Sequence, residues 1–223
     1  MKRSERRILT THAGVLPPPR VFEGIDIDVR MGKACDPATY ERLRAEAVKQ
    51  VVAQQAELGL DVICDGELGK SRGFPYYSQR LDGIAQRPLR PGEVAATVLR
   101  SREREVFSEF YAYLATVDRR LPTRPGMRLI CNGPLRHRSL APLQRELALF
   151  TESLGGVAFK EAFFPVIAPG WLDHFIFNEH YATDEAFIFA LASLRRRCGP
   201  SEASSMGGDR FRALPRRAFY ALR

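Results

Sequence analysis

Three polar side chains that could bind or activate a small molecule follow directly on predicted strands. His12 comes after the β-favouring run of residues 8–11, and Asp65 and Glu67 follow the mostly apolar run of residues 60–64. Because neighbouring parallel strands end at one edge of a sheet, we expect these side chains to share a pocket. A carboxylate there could accept the ammonium group of an amino-acid-like substrate or act as a general base.

A structural role remains open for each of these residues. Asp65 and Glu67 could instead cap the turn that follows the strand, or pair with Lys70 and Arg72. His12 could be a structural hydrogen-bonding residue. The residue types and their positions therefore suggest a binding site without excluding a purely structural use.

A second candidate region is the aromatic segment of residues 163–175, which contains two prolines and the only tryptophan. Trp171 could stack on a flat ligand and His174 could hydrogen-bond to it, or the segment could be a core strand that leaves into a rigid loop. His174 and His180 are not at the spacing of a metal pair on one helix face, and the four cysteines form no CxxC or CxH cluster. We assign no metal ligand.

The elements that would position these residues alternate between strand and helix. This alternation predicts a parallel sheet in an α/β fold, which could be a barrel or a doubly wound sheet. No glycine-rich nucleotide-binding motif is present. Strands are predicted over residues 8–11, 60–64, 128–131 and 157–162, helices over residues 36–59, 101–121 and 140–153 and from about residue 183, and a loop over residues 68–96.

Apolar residues at helical spacing predict which helix faces are buried. Asp36 and Pro37 suit the start of the first of these helices, and Gly59 suits its end. The faces expected to be buried carry Leu43, Ala47, Val51 and Leu58 on that helix, and Val106, Phe110 and Leu114 on the next.

Charge is unevenly distributed along the 223 residues. Residues 195–223 hold eight arginines against Glu202 and Asp209, whereas the whole chain has a net charge of only +8. The near-neutral body favours a small-molecule site over nucleic-acid binding. No apolar run approaches the roughly 18 residues that span a bilayer, the first residues do not resemble a secretory signal, and no disulfide framework is indicated, so we expect a cytoplasmic protein without membrane contact.

Four blocks of sequence resemble one known family. They are TTHAGVLPPP at residues 10–19, a DGE-containing block at residues 59–84, CNGPLRH at residues 131–137, and an aromatic block at residues 160–192. Their order and spacing are similar to those of the single-domain relatives of cobalamin-independent methionine synthase. The resemblance implies a (β/α)8 barrel of the TIM type, related to uroporphyrinogen decarboxylase, of which about the first four βα units would be present.

The resemblance also implies methyl transfer from methyltetrahydrofolate to the thiol of homocysteine, giving methionine. In the family a bound Zn²⁺ lowers the pKa of the substrate thiol. The thiol is then present as a thiolate, which is the nucleophilic form. The carry-over makes Ala13, Gly14, Val15 and Glu67 the residues that hold the amino-acid end. His12, Asp65 and Trp171 complete the candidate substrate-binding set, and no catalytic residue is assigned.

Two residues depart from the family pattern. Methionine synthases have Ser where this chain has Val15, and usually His where it has Asp65. Both departures concern the assignment to homocysteine in particular. Related alkyltransferases that act on other thiols, such as coenzyme M, are therefore an alternative.

The family's zinc ligands would lie in a second half of the barrel, and the resemblance stops near Leu194. We therefore predict half a barrel over residues 1–195. Residues 196–223 are predicted to be an irregular Arg-rich tail, either aberrant or disordered, because their composition is the one that a shifted reading frame produces. Because half a barrel leaves open strand edges, we expect a truncated chain that self-associates or needs a second-half partner, and that is inactive alone.

Two further function classes stay open. The chain could be a non-catalytic module that binds an amino acid or another small molecule around Gly14 and Glu67, or that serves in assembly. It could also bind nucleic acid through the Arg-rich tail, in which case binding would depend strongly on salt.

Overall fold

Two units that interleave along the chain make up the protein. The computed structural model describes residues 3–30, 33–70, 76, 80–117, 126–197, 211–213 and 219–222. Unit 1 comprises residues 1–72, 139–166 and 197–223, and unit 2 comprises residues 73–138 and 167–196.

Helices and strands alternate over most of the described residues, as the sequence predicts for the α/β class. A short 3-10 helix (Thr97–Arg100) precedes the third helix. The helices are α1 (Arg20–Arg30), α2 (Pro37–Glu57), α3 (Arg102–Val106), α4 (Ser108–Val117), α5 (Ala141–Ser153), α6 (Pro169–Leu172) and α7 (Asp184–Arg197). The strands are β1 (Val62–Ile63), β2 (Leu81–Pro88), β3 (Met127–His137), β4 (Glu161–Pro165), β5 (Ile176–Asn178), β6 (Phe211–Ala213) and β7 (Phe219–Leu222).

The start and end of α2 confirm the sequence prediction. The Asp36 carboxylate accepts the backbone N–H of Thr39 at 2.9 Å, which caps the helix. Gly59 follows the helix with a left-handed φ of 77°. Leu58 is 80% exposed, so its predicted burial is wrong, because the helix has already ended when the chain reaches it. The residues of α2 buried in the structure are Ala47, Val48, Val51, Val52 and Gln55.

The sheet of unit 1 has the strand order β1-β4-β7-β6. The β1 and β4 strands are parallel, and Thr11 forms a parallel bridge to Val62 at the other side of β1. Three of the four predicted strands therefore lie side by side in this sheet, with the predicted run of residues 8–11 reduced to a bridge. The helices α2 and α5 bury their apolar faces with β1 and β4, and the Phe150 and Phe164 rings lie 6.2 Å apart in this core.

Both sheets depart from the predicted all-parallel arrangement. In unit 1, β7 is antiparallel to both β4 and β6. The sheet of unit 2 also contains an antiparallel pair. Its order is β2-β3-β5, in which β2 and β3 are antiparallel and β3 and β5 are parallel. The β2 strand lies in a segment that was predicted as a loop. The sequence does not indicate a strand there because the eight residues include a glycine and a proline and bury only Leu81 and Ile84. Gly83 is at a bulge with a φ of 82°, and a Cβ atom there would lie 2.5 Å from the carbonyl oxygen of Gly133.

The core of unit 2 lies between this sheet and α7. Its buried residues are Leu81, Ile84, Leu129, Cys131, Leu172, Ile176, Phe187, Leu191 and Leu194.

The helix predicted over residues 101–121 is interrupted. Phe107 separates α3 from α4, with φ −109° and ψ 42°. Val106 and Phe110 are 64% and 55% exposed, so their predicted burial is wrong. Helical spacing identifies an apolar stripe, but only the tertiary structure decides whether another element covers it.

The predicted boundary between residues 195 and 196 lies within α7. The tail beyond it was expected to be irregular, and that is wrong for β6 and β7, which pair with each other and, through β7, with β4. The described residues form open sheets, so the half-barrel stays a prediction. No helix within the described ranges is long and apolar enough to cross a membrane.

Candidate functional site

The segment that begins at His12 lies beside the segment that follows β1. The Thr11 hydroxyl donates to the carbonyl oxygen of Val62 at 2.8 Å. Further along, the backbone N–H of Leu16 donates to the carbonyl oxygen of Gly66 at 3.0 Å. The structure thus brings the two predicted site segments to the same edge of the unit 1 sheet.

Asp65 is a fully buried carboxylate with one oxygen in use. Its Oδ1 accepts the backbone N–H of Glu67 at 3.0 Å, which confirms the turn-capping interpretation for that oxygen. Its Oδ2 is buried and has no hydrogen-bond partner among the described residues. Burial raises the pKa of Asp65 because the ionised form loses its hydration.

The turn that carries Glu67 has an unusual backbone. Glu67 has a φ of 60°, the one left-handed non-glycine residue in the described part of the chain. Gly66 before it has a φ of 62°, and a Cβ atom there would lie 2.8 Å from Cγ1 of Val51 on α2. Such strained residues are frequent where side chains are held for binding.

Lys70 is buried in the same turn, with 7% of its surface exposed. Its Nζ donates to the carbonyl oxygen of Pro165 at the end of β4 and lies 4.3 Å from the centroid of the Phe164 ring. It makes no ion pair with Asp65 or Glu67, so the predicted pairing with Lys70 is not formed. Arg72, the other predicted partner, lies outside the described residues.

A glutamine that the sequence analysis missed holds the end of β1. The Gln55 amide of α2 donates to the carbonyl oxygen of Cys64 at 2.7 Å and accepts the Cys64 N–H at 3.1 Å. The signal in the sequence was a polar residue within the apolar stripe of α2. The thiol of Cys64 is buried, and burial raises the pKa of this thiol to about 11. Cys64 is therefore a neutral thiol and not a nucleophile.

His12 is partly buried, and its Nε2 is a buried atom without a hydrogen-bond partner among the described residues. Ala13 and Val15 are exposed. Gly14 has a left-handed φ of 101° and open space where a Cβ atom would lie. The segment therefore presents one imidazole and an open backbone beside the end of β1.

Trp171 belongs to unit 2, where α6 carries it. It is 50% exposed, and its ring lies 5.6 Å from that of His174 and 5.5 Å from that of Phe175. The His174 Nδ1 lies 2.8 Å from the hydroxyl oxygen of Thr97. The assignment of Trp171 to the substrate site stays a prediction.

A second cluster of charged side chains lies in unit 2. Arg87 binds Glu93 through two hydrogen bonds of 2.6 and 2.7 Å, and its Nε donates to Glu179 at 3.0 Å. Arg128 donates to Glu93 at 2.8 Å, and its guanidinium carbon lies 3.4 Å from the centroid of the Phe177 ring. The hydrogen bonds from Arg87 contribute most to lowering the pKa of Glu93 to about 2. Each carboxylate of this cluster has a cationic partner.

A structural or catalytic Zn²⁺ needs three or four donor side chains gathered around one point. No group of three or more His, Cys, Asp or Glu side chains within the described ranges is arranged to hold a metal ion. The Zn²⁺ that the family resemblance implies therefore has no ligand set among those residues.

Comparison with known sequences finds a family and several relatives. Residues 8–127, just over half of the chain, match the family described as cobalamin-independent synthase, catalytic domain. The chain is 36% identical over 75 residues to a 5-methyltetrahydropteroyltriglutamate–homocysteine methyltransferase of Cronobacter sakazakii, covering 34% of this chain and 10% of the relative. An enzyme of the same name from Coxiella burnetii is 36% identical over 76 residues, with the same coverage.

Comparison with solved structures finds the same kind of protein. A B12-independent methionine synthase from Shewanella sp. W3-18-1, solved in complex with selenomethionine, aligns with a TM-score of 0.54 and 14% identity over 90% of this chain and 49% of that one. A putative vitamin-B12 independent methionine synthase from Listeria monocytogenes aligns with a TM-score of 0.55 and 17% identity over 92% and 51%. The chain spans about a tenth of those curated relatives' length and about half of these solved chains.

Proposed function

The chain belongs to the cobalamin-independent synthase family, and from that membership we propose that the edge of the sheet at the end of β1 binds the amino-acid end of a thiol substrate, homocysteine. The observation that carries this proposal is the fully buried Asp65, whose Oδ2 has no partner among the described residues. Buried polar groups without partners are rare and costly, so each one calls for an explanation. A bound ammonium group supplies it.

The charge of the site favours an ammonium group over an anion. Asp65 and Glu67 both place carboxylates in the turn after β1, and Glu67 is held there in a left-handed conformation. An ammonium group forms charge-assisted hydrogen bonds with such carboxylates. Coenzyme M has no ammonium group and would leave both carboxylates without a cationic partner, which makes coenzyme M the weaker candidate.

The wider role that we propose is methyl transfer to that thiol, with methyltetrahydrofolate as the donor and a TIM-type barrel as the setting. The relatives' names support this role, since they are homocysteine methyltransferases. The resemblance supplies Zn²⁺ as the group that would form the thiolate. We expect the 223-residue chain alone to bind the substrate without transferring the methyl group, because its described residues hold no ligand set for that ion.

Binding is tested by titration calorimetry of the chain with homocysteine, methionine, coenzyme M and methyltetrahydrofolate. We expect homocysteine and methionine to bind, and coenzyme M to bind at least about tenfold more weakly, the effect of one lost charge-assisted hydrogen bond. The substitutions Asp65→Asn and Glu67→Gln should weaken amino-acid binding by a similar factor. The matched control is Asp82→Asn, which removes an exposed carboxylate of unit 2 and should leave binding unchanged.

Loss of binding in the control, or equal affinity for coenzyme M, would contradict this assignment. The transfer step is tested separately, by following methionine formation from homocysteine and methyltetrahydrofolate with and without added Zn²⁺. We expect no turnover by the chain alone. Turnover that depends on Zn²⁺ would make it an autonomous enzyme, and binding without turnover even in the presence of a second-half partner would favour the non-catalytic binding module.

A further inference from the structure

The strands β6 and β7, near the end of the chain, cover one edge of the unit 1 sheet. The sheet order is β1-β4-β7-β6, so β7 lies on the side of β4 that faces away from β1. Four residue pairs join β4 to β7, from Ala162–Leu222 to Pro165–Phe219. Without these pairs, that side of β4 would have no strand beside it among the described residues. A bare strand edge is a template for a strand from another chain.

The register between β4 and β7 shows which backbone groups point across it. Pro165 has no N–H, so Pro165 and Phe219 cannot be a pair that exchanges two hydrogen bonds. Pairs with and without mutual hydrogen bonds alternate along an antiparallel ladder. The neighbouring pair, Phe164 and Tyr220, is therefore hydrogen-bonded, with the N–H of each residue directed at the other strand.

The opposite side of β4 gives an independent check of this alternation. The N–H of Glu161 donates to the carbonyl oxygen of Asp61, directly before β1, at 3.3 Å. Successive residues of a strand direct their backbone groups to opposite neighbours. Glu161 and Phe163 therefore face β1, whereas Ala162 and Phe164 face β7. The pairing with β7 thus satisfies backbone groups that could otherwise bind a strand from another chain.

The composition of β6 and β7 suits the end of a sheet. The inner strand, β7, has the apolar sequence FYAL and pairs with β6 on its other side. The outer strand, β6, is only three residues long and has Arg212 at its centre. Short strands and charged residues are two of the means by which natural proteins protect a sheet edge. The exposed edge of β4 is in this way replaced by one that is less prone to add a strand.

We propose that the edge of β4 is a strand-addition surface for a second copy of this chain, and that β6 and β7 form an edge cap that occupies it in the monomer. Two β4 strands fit each other about a two-fold axis, since Ala162 of one copy would lie opposite Phe164 of the other. Residues 162–164 carry no charge, so like charges do not oppose this pairing. The self-association expected of open strand edges then requires release of the edge cap. This inference is independent of the substrate proposed above.

Hydrogen exchange of single backbone amides, followed by NMR, tests the edge cap in the wild-type chain. The amide of Phe163 faces β1, and the amides of Ala162 and Phe164 face β7. We expect all three to be protected at a protein concentration at which sedimentation velocity shows a monomer. Rapid exchange of Ala162 and Phe164 beside a protected Phe163 would overturn the edge cap.

The substitution Tyr220→Pro tests the strand-addition surface, because proline removes the N–H that β7 directs at β4. At low concentration we expect the amides of Ala162 and Phe164 to exchange at least about tenfold faster than in the wild type. As concentration rises from about 1 to 100 μM, a range suited to small interfaces, the variant should dimerise and these amides should regain protection. The 25.2 kDa wild type should stay monomeric.

The matched control is Ala221→Pro, at the next position of β7. The N–H of Ala221 is directed at β6, so this variant loses a hydrogen bond to β6 and keeps those to β4. Proline is also tolerated on an edge strand and resists further pairing there. We expect protected amides at Ala162 and Phe164 and a monomeric chain. Equal dimerisation of both variants would overturn the assignment of the surface to β4.

Three other results would overturn the proposal. The first is a folded Tyr220→Pro chain that exposes the Phe164 amide and remains monomeric at every concentration. The second is a dimer in which the Phe164 amide stays exposed, and the third is a wild type that dimerises as readily as the variant. If Tyr220→Pro does not fold, Leu222→Pro removes the other N–H directed at β4, from the end of β7, and the same two measurements decide.

Discussion

The two units each contain a cluster of charged side chains, and the clusters differ in how their charges are satisfied. In unit 2, Glu93 accepts hydrogen bonds from both Arg87 and Arg128. In unit 1, Asp65 is more deeply buried, yet its Oδ2 has no partner among the described residues. Both clusters contain carboxylates and cations, and they differ in whether the carboxylate oxygens find partners.

This difference separates a structural cluster from a candidate binding site. A partly buried carboxylate with two arginine partners needs nothing further, and removing one partner leaves a charge that destabilises the fold. A buried carboxylate that lacks a partner is itself unfavourable, and the fold tolerates it where a ligand completes the bonding. Paired polar groups should therefore destabilise the protein when they are removed, and the unpaired one should not.

The largest effect on the free energy of unfolding is expected for the substitution Gln55→Leu in unit 1. Gln55 satisfies both the N–H and the carbonyl of Cys64 in a buried position, and leucine would leave both groups without a partner. We expect a loss of about 3 kcal/mol in the free energy of unfolding, measured by urea denaturation.

Its matched control is Gln54→Leu, at the exposed neighbouring position of α2. This change should alter stability by less than about 0.5 kcal/mol. Equal losses in both variants would show that the helix, and not the clamp on β1, responds to the substitution.

A smaller loss is expected for Arg128→Met, in the paired cluster of unit 2. The substitution removes the ion pair with Glu93 and two hydrogen bonds to the carbonyl oxygen of Val94. We expect a destabilisation of about 2 kcal/mol, measured by the same denaturation.

The comparison for Arg128→Met is an exposed ion pair. Arg42→Met breaks the pair with Glu46 on the surface of α2, which should cost only about 0.3–0.5 kcal/mol. A similar small cost for Arg128→Met would remove the distinction between the cluster of unit 2 and an ordinary surface pair.

The smallest effect, with the opposite sign, is expected for Asp65→Asn. Removing an unsatisfied buried charge should stabilise the free protein by about 1 kcal/mol at neutral pH, even though it weakens ligand binding. Burial raises the pKa of Asp65, so the folded state keeps this proton to a higher pH than the unfolded state does. Over that interval the stability of the wild type should fall as pH rises, and the Asp65→Asn variant should lack this component.

Thermal unfolding at several pH values measures this dependence, with Asp82→Asn as the exposed control. Destabilisation of the free protein by Asp65→Asn would mean that Oδ2 is satisfied within the fold. That result would remove the observation on which the binding site rests.

Much of unit 1 follows from local sequence. An Asp-Pro start, a glycine stop and a regular apolar stripe predict α2 to within about two residues, because capping and amphipathicity act over a single turn. The β2 strand could not be predicted, since its pairing with β3 compensates for weak strand propensity. The same limit explains Val106 and Phe110, whose apolar stripe was identified correctly but is exposed.

The residues of the candidate site fall into those that the sequence identifies and those that only the tertiary structure identifies. His12, Asp65 and Glu67 were identified from their place after predicted strands, whereas Gln55 and the burial of Lys70 depend on contacts with other segments. Asp65 illustrates the limit most clearly, because its two oxygens have the same covalent structure and different surroundings. No local pattern in the sequence reports that one is capped by its own turn and the other is not.

The sequence by itself determined the family, the α/β class and the residues at the end of β1, because these depend on residue order and on short-range periodicity. Only the tertiary structure decided which strands pair, which apolar faces are covered and which charges find partners. The physical reason is that burial and hydrogen bonding are set by groups distant in the chain, such as Pro165 for Lys70. The unpaired oxygen of Asp65 is a property of that packing.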